Sequence, residues 1–195
     1  MAKTNFLQKV SASFKNTGLK ASSIAARSFF EDQIKRLGAP GRGEILRTAT
    51  KKKGTVTLGK MYLFRYDPKF KRTLPFYDRF PLVFVIKGGK NSFLAINLHY
   101  LPPNLRIALL NKLMQLSTSK TLNTRSKLKI SYDILRTAAR FKAFKPTLKR
   151  YLGSHVQSAF AEIPGDAWHL TALLPLADFR KAGPSTVWAD SRSKF

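Results

Sequence analysis

At 195 residues, with 44% hydrophobic content and 15 Phe, the chain has the length and apolar content of one folded domain. Lys and Arg number 36 against 10 Asp and Glu, a formal net charge of +26, and there is no Cys. These facts exclude a disordered chain, disulfides, thiolate catalysis and zinc–thiolate sites, and no run approaches the roughly 20 apolar residues of a spanning helix.

A compact chain this basic repels itself and calls for a polyanion. Small domains ordinarily carry much less net charge. Nucleic acid is the expected polyanion, with anionic lipid a distant second; no membrane partner is expected.

The N-terminus, MAKTNFLQKVSASFKNTG, is basic, Ser-rich and acid-free like a transit peptide. It lacks the apolar run of a secretory signal. Residues 1–54 hold 12 Lys/Arg and 3 acids and read as a basic N-terminal arm. Within it, Ser22 or Ser23 can cap a helix through Leu37, with Gly38 as the stop. Ala26, Phe30, Ile34 and Leu37 share one side of that helix, a stripe that core packing explains. A short helix from Glu44 to Ala49 is weakly indicated. Lys51-Lys52-Lys53-Gly54 closes the arm, and the domain proper is expected to span 55–195. On this reading, deleting 1–54 should leave the fold intact.

The most apolar and aromatic stretch is Gly59–Pro103. Met61–Tyr66, Leu82–Ile86 and Phe93–Tyr100 read as strands of an antiparallel sheet. Lys87–Ser92 is a hairpin loop whose glycines reach positive φ. Pro102-Pro103 ends the third strand and opens an amphipathic helix, Pro103–Ser117.

Thr124–Phe141 reads as a second helix. Its Arg125, Lys129, Arg136 and Arg140 fall within an arc of about 60° on a helical wheel. A third helix is expected from Pro146 to Ile163, on the spacing of Leu148, Leu152, Val156, Ala159 and Phe160, with Gly153 a weakness. Trp168–Leu174 reads as a fourth strand that closes the sheet. Trp188, in the tail, is expected to pack on the body or stack on a partner.

Convergent catalytic groups are few. His99, His155 and His169 form no metal-spaced pair. There is no G-x-S-x-G, Walker A or G-x-G-x-x-G. Asp67 and Asp78 flank a basic loop and could serve a metal-dependent nuclease. Each also sits where a turn favours aspartate, and the turn reading outweighs the catalytic one. No catalytic residue, metal site or cofactor is expected.

That loop reads better as a binding element. Lys69, Lys71, Arg72 and Arg79 are interleaved with Phe70, Phe76, Tyr77 and Phe80. Cations on phosphates with rings on bases grip nucleic acid without reading its sequence. In the plainer reading the rings plug the end of a barrel and the lysines face water. No helix-turn-helix, C2H2 or RNP1 pattern occurs. The expected nucleic-acid-binding residues are Lys51, Lys52, Lys53, Lys69, Lys71, Arg72, Arg79, Arg125, Lys129, Arg136 and Arg140.

Tyr62-Leu63-Phe64-Arg65-Tyr66-Asp67-Pro68, Leu74–Pro81, Ala95–Pro103 and Val187–Arg192 together resemble minor virion proteins of T-even-type tailed bacteriophages, cyanophages among them, of the DNA end protector kind. The similarity covers roughly residues 25–192. It implies a virion protein, made in the host bacterial cytoplasm, that shields the ends of packaged double-stranded DNA from exonuclease. It carries no catalytic residues.

The expected fold is α+β: a small bent antiparallel sheet or SH3-like barrel, with inserted helices and the basic arm. The expected function is non-enzymatic, sequence-independent binding of double-stranded DNA at its ends. The alternative is a neck, tail or baseplate component whose basic surface meets acidic neighbours or lines the DNA channel. Expected partners are double-stranded DNA and other phage virion proteins, with self-association open.

Overall fold

A computed structural model describes residues 6–19, 23–48, 50–52, 56–117 and 123–193. Three helices lead: α1 (Phe6–Lys15), α2 (Ile24–Leu37) and α3 (Arg42–Thr48). Five strands follow: β1 (Thr50–Lys52), β2 (Met61–Leu63), β3 (Tyr77–Asp78), β4 (Leu82–Gly88) and β5 (Ser92–Asn97). Next come α4 (Pro103–Ser117) and α5 (Thr124–Ala138), then β6 (Leu148–Leu152) and β7 (Phe160–Ile163). The chain closes with α6 (Trp168–Leu173), β8 (Phe179–Arg180) and α7 (Pro184–Ser193). Among these described residues no helix is long and apolar enough to cross a membrane.

The class is α+β, as expected. The main sheet is antiparallel and open, in the order β1-β7-β2-β4-β5-β6. Its edges, β1 and β6, do not meet, so the barrel alternative is not realised. β3 and β8 form a separate two-stranded ribbon.

Local signals explain several elements. Ser23 caps α2, its hydroxyl accepting from the Ala26 amide at 3.0 Å, and Gly38 stops the helix at φ 75°. Asn123 caps α5 in the same way through the Ser126 amide. β4 and β5 form the expected hairpin, Phe84 opposite Ile96 and Val83 opposite Asn97, but Gly88 ends β4 and neither it nor Gly89 takes the expected positive φ.

Two expected elements are replaced. The helix expected over 146–163 is instead β6, a 3-10 turn at Gly153–His155, and β7. Spacing of four fits an apolar helix face, yet β6 gains a full ladder on β5, and Tyr151 stacks on its cross-strand neighbour Phe93 at 5.3 Å. The strand expected at 168–174 is the helix α6. Its run is apolar nearly all round and has no period to read. Such a helix must be buried, and Trp168 to Ala172 all are. Trp168 Nε1 donates to the Ile163 carbonyl and fixes the turn into it. Smaller differences concern Met61–Tyr66, whose ladder ends at Leu63 with Tyr66 bridging Val156 alone, and Leu98–Tyr100, a 3-10 turn.

Side-chain alternation gives the sheet two apolar faces. Met61, Leu63, Leu82, Phe84 and Ile96 face the helices, where Leu110, Leu113 and Met114 of α4 complete the core. Val10, Phe14, Ala26, Phe30 and Ile45, all from the first 54 residues, are buried in that same cluster. Arg106 is buried here too. It donates to the Ala172 and Leu101 carbonyls, and burial lowers its pKa to about 10. The opposite face is aromatic. Phe64 meets Phe160 and Tyr151 edge-on at 5.0 and 5.3 Å, and Tyr66 meets Tyr151 at 4.9 Å.

Candidate nucleic-acid interface

The loop from Asp67 to Phe76 leaves the aromatic face of the sheet and is held at several points. The Tyr66 amide donates to the Arg79 carbonyl, and the Asp67 amide to the His155 carbonyl. Thr73 and Leu74 amides close a turn on the Phe70 carbonyl. Lys181 sits at φ 69°, a left-handed conformation uncommon outside glycine. From there its Nζ donates to the carbonyls of Arg72 and Leu74, both at 2.8 Å. The loop is therefore fastened to the β8–α7 turn.

Of its cations, Lys69, Lys71 and Arg72 are exposed. Lys71 pairs with Asp67 at 2.8 Å, Lys69 Nζ lies 5.4 Å from the Phe70 ring centre, and half-buried Arg79 lies 3.7 Å from Asp178. The rings divide. Phe76 turns inward onto Tyr100, and Phe80 is half-buried beneath Arg42 and Arg79. Phe70 remains 63% exposed.

Asp78 holds a turn, accepting from the Phe80 amide at 3.0 Å, and does much more. It is buried, and it also accepts from Asn97 Nδ2 at 3.1 Å and from the Asp178 amide at 3.3 Å, with His99 Nδ1 at 2.7 Å. Burial is the largest single effect on this carboxyl and would raise its pKa. His99, Asn97 and the Phe80 amide together outweigh it and hold the pKa below the ordinary value. Its stabilising effect is thus complete above the unfolded carboxylate pKa of about 4 and fades as pH falls through the lower folded value. Asp78→Ala strands the groups that bond to it and should cost on the order of 3–5 kcal/mol. Asp67→Asn, at an exposed pair, should cost less than about 1 kcal/mol. Thermal melts of the two variants check this contrast; equal, small losses would contradict it.

Between the loop and β6 lies a cavity of about 360 Å3. Tyr66, Phe70, Phe76, Tyr100 and Tyr151 line it, with Lys69, Lys149 and Arg150. Lys149 Nζ stands 4.2 Å from the Tyr100 ring centre. Burial is the main cause that raises the pKa of Tyr66, Tyr100 and Tyr151, so their hydroxyls stay protonated. Tyr66 accepts from the Leu152 amide and Tyr151 from Asn97, and each keeps its own O–H to donate. A larger opening of about 730 Å3 lies at the far hairpin end, where Lys90 is the only charged residue of the lining.

Lys149, Arg150 and Tyr151 were missed because 146–163 read as a helix, and Tyr66 and Tyr100 because they read only as strand residues. The one signal for the β6 residues is the alternation within Leu148-Lys149-Arg150-Tyr151-Leu152.

The other expected contacts lie elsewhere. Arg125, Lys129, Arg136 and Arg140 are all exposed on or just after α5, whose Leu135 and Ala138 are buried. Lys51 and Lys52 lie in the edge strand β1, and Lys53 falls outside the described residues. Trp188 packs on the body, its Nε1 donating to the His99 carbonyl at 2.9 Å. Among the described residues, no three His, Asp or Glu side chains are grouped to hold a metal ion.

The family model of the phage T4 terminal DNA protecting protein matches residues 4–191. No curated protein and no solved structure matches the chain. With nearly its whole length covered by that one model, the chain belongs to the phage T4 terminal DNA protecting protein family.

Proposed function

We propose that this chain binds the ends of linear double-stranded DNA through phosphate charge and aromatic contact, without reading sequence and without catalysis. The observation that carries the reading is the union of exposed cations and rings on one fastened loop and the strand beside it. Such surfaces position a nucleic acid but carry no base code. The proposed contacts are Lys69, Lys71, Arg72 and Arg79, with Lys149 and Arg150 added from β6. Arg125, Lys129, Arg136 and Arg140, on or just after α5, extend the basic surface, and Lys51, Lys52 and Lys53 are proposed as further contacts. Lys71 and Arg79 exchange a carboxylate for a phosphate when they engage. The ends are held in the virion, beside other virion proteins, and a bare end would meet host nuclease once the DNA is in the cell.

Competition tests this reading. Linear duplex should displace the protein from a labelled linear probe at far lower concentration than covalently closed circular duplex of equal mass. Scrambled sequences should compete equally. Incubation with Mg2+ or Mn2+ should leave the DNA intact. Equal competition by circles, or metal-dependent cleavage, would contradict it.

A further inference from the structure

We propose that the cavity between the 67–76 loop and β6 holds the terminal nucleotide of one DNA strand, unpaired from its complement. This rests on the end-binding reading above and adds where the end is gripped.

The cavity's size and chemistry fit one nucleotide. Its volume of about 360 Å3 falls at the small end of the range for small-molecule sites. Phe70, at the mouth, offers an exposed ring for stacking a base. Lys69, Lys149 and Arg150 supply positive charge for the phosphate, and the Tyr66 hydroxyl is a further donor. The acid in the lining, Asp78, is buried and has both oxygens engaged, so it presents little free charge to a phosphate.

An end preference follows from what it costs a base to leave the stack. An interior base can enter such a cavity only by flipping from the stack, at a cost of a few kcal/mol, and a base already unpaired pays least. A terminal pair has one stacking neighbour and frays. The surface cations bind any duplex; the cavity adds affinity only where a strand stops.

The test uses the full chain and two probes of equal length: a hairpin duplex with one blunt 5′-phosphorylated end carrying terminal 2-aminopurine, and a closed dumbbell with 2-aminopurine inside. Wild-type protein should prefer the hairpin and change the terminal fluorescence, with little change in the dumbbell. Phe70→Ala should weaken hairpin binding about thirtyfold, the middle of the range for one base–aromatic stack, and dumbbell binding by less. Lys69→Ala with Arg150→Ala should reduce the advantage of a 5′-phosphate over a 5′-hydroxyl. All three side chains are exposed, and unchanged melts will show that the fold is kept. A hairpin preference that survives both variants, with terminal fluorescence unmoved, overturns the cavity proposal and leaves end binding standing. Loss of all preference in the wild type overturns end binding itself. A free deoxynucleoside 5′-monophosphate that competes as well as the hairpin end makes the cavity a site for free nucleotides and overturns the proposal.

Discussion

A chain lacking residues 1–54 should lose its cooperative unfolding transition. The composition of this region, 12 Lys/Arg and 3 acids, marks it as an arm, but its apolar side chains are spent on the shared core. Phe30 and Ala26 of α2 are fully buried, with Ile45 of α3 and Val10 and Phe14 of α1 beside them. Phe14, Phe29 and Phe30 form a ring cluster with centroids 4.7–5.6 Å apart. Removing one buried Phe costs about 3–5 kcal/mol, and the deletion removes several large side chains against a total stability of about 5–15 kcal/mol. It also uncovers α6, which α2 packs against and which is buried along most of its length. We therefore propose that residues 1–54 fold with the rest. Calorimetry of the truncated chain should show no transition, and Phe30→Ala should melt well below wild type. A truncated chain with a cooperative melt near the wild-type temperature would restore the dispensable arm.

Affinity for duplex DNA should collapse with salt. Each phosphate neutralised adds about −0.9 to the slope of log K against log salt. Engagement of about half of Lys69, Arg72, Lys149, Arg150, Arg125, Lys129, Arg136 and Arg140 gives a slope near −4, and the other proposed contacts steepen it. Between about 50 and 200 mM salt, a slope of −4 is a loss of about 250-fold. Converting Arg125, Lys129, Arg136 and Arg140 together to Gln should flatten the slope by about 0.9 for each one that touches a phosphate. All four are exposed, so stability should change little. A wild-type slope near zero would remove nucleic acid as the main partner.

Much of the fold could be read because its signals are local. Ser23 and Gly38 bound α2, Pro103 opens α4, and the glycines after Ile86 mark the hairpin; each acts within a few residues. The failures lie where distant contacts decide. Nothing near Leu148–Leu152 shows that β5 leaves an open edge for it, and the four-residue spacing of Leu148, Leu152 and Val156 fits a helix as well as a strand and turn. Trp168–Leu173 carries no period because every side of it is buried. The candidate site was half legible for the same reason. Lys69 to Arg79 stood out as a local mix of cations and rings. Lys149, Arg150 and Tyr151 join them only through strand pairing. Asp78 was readable as a turn residue, but its bonds to Asn97 and His99 span 19 and 21 residues and depend on the fold.

The central claim is that the protein acts at DNA ends. Digestion of linear duplex by a processive double-strand exonuclease, over a titration of protein, tests it most directly. Full-length DNA should survive at a few protein molecules per end. The amount required should follow the number of ends and stay the same for short and long duplexes. Cutting protected DNA with a restriction enzyme should expose fresh ends and restore digestion from the cut. Protection that appears only when the whole duplex is coated, and scales with its length, would contradict the account.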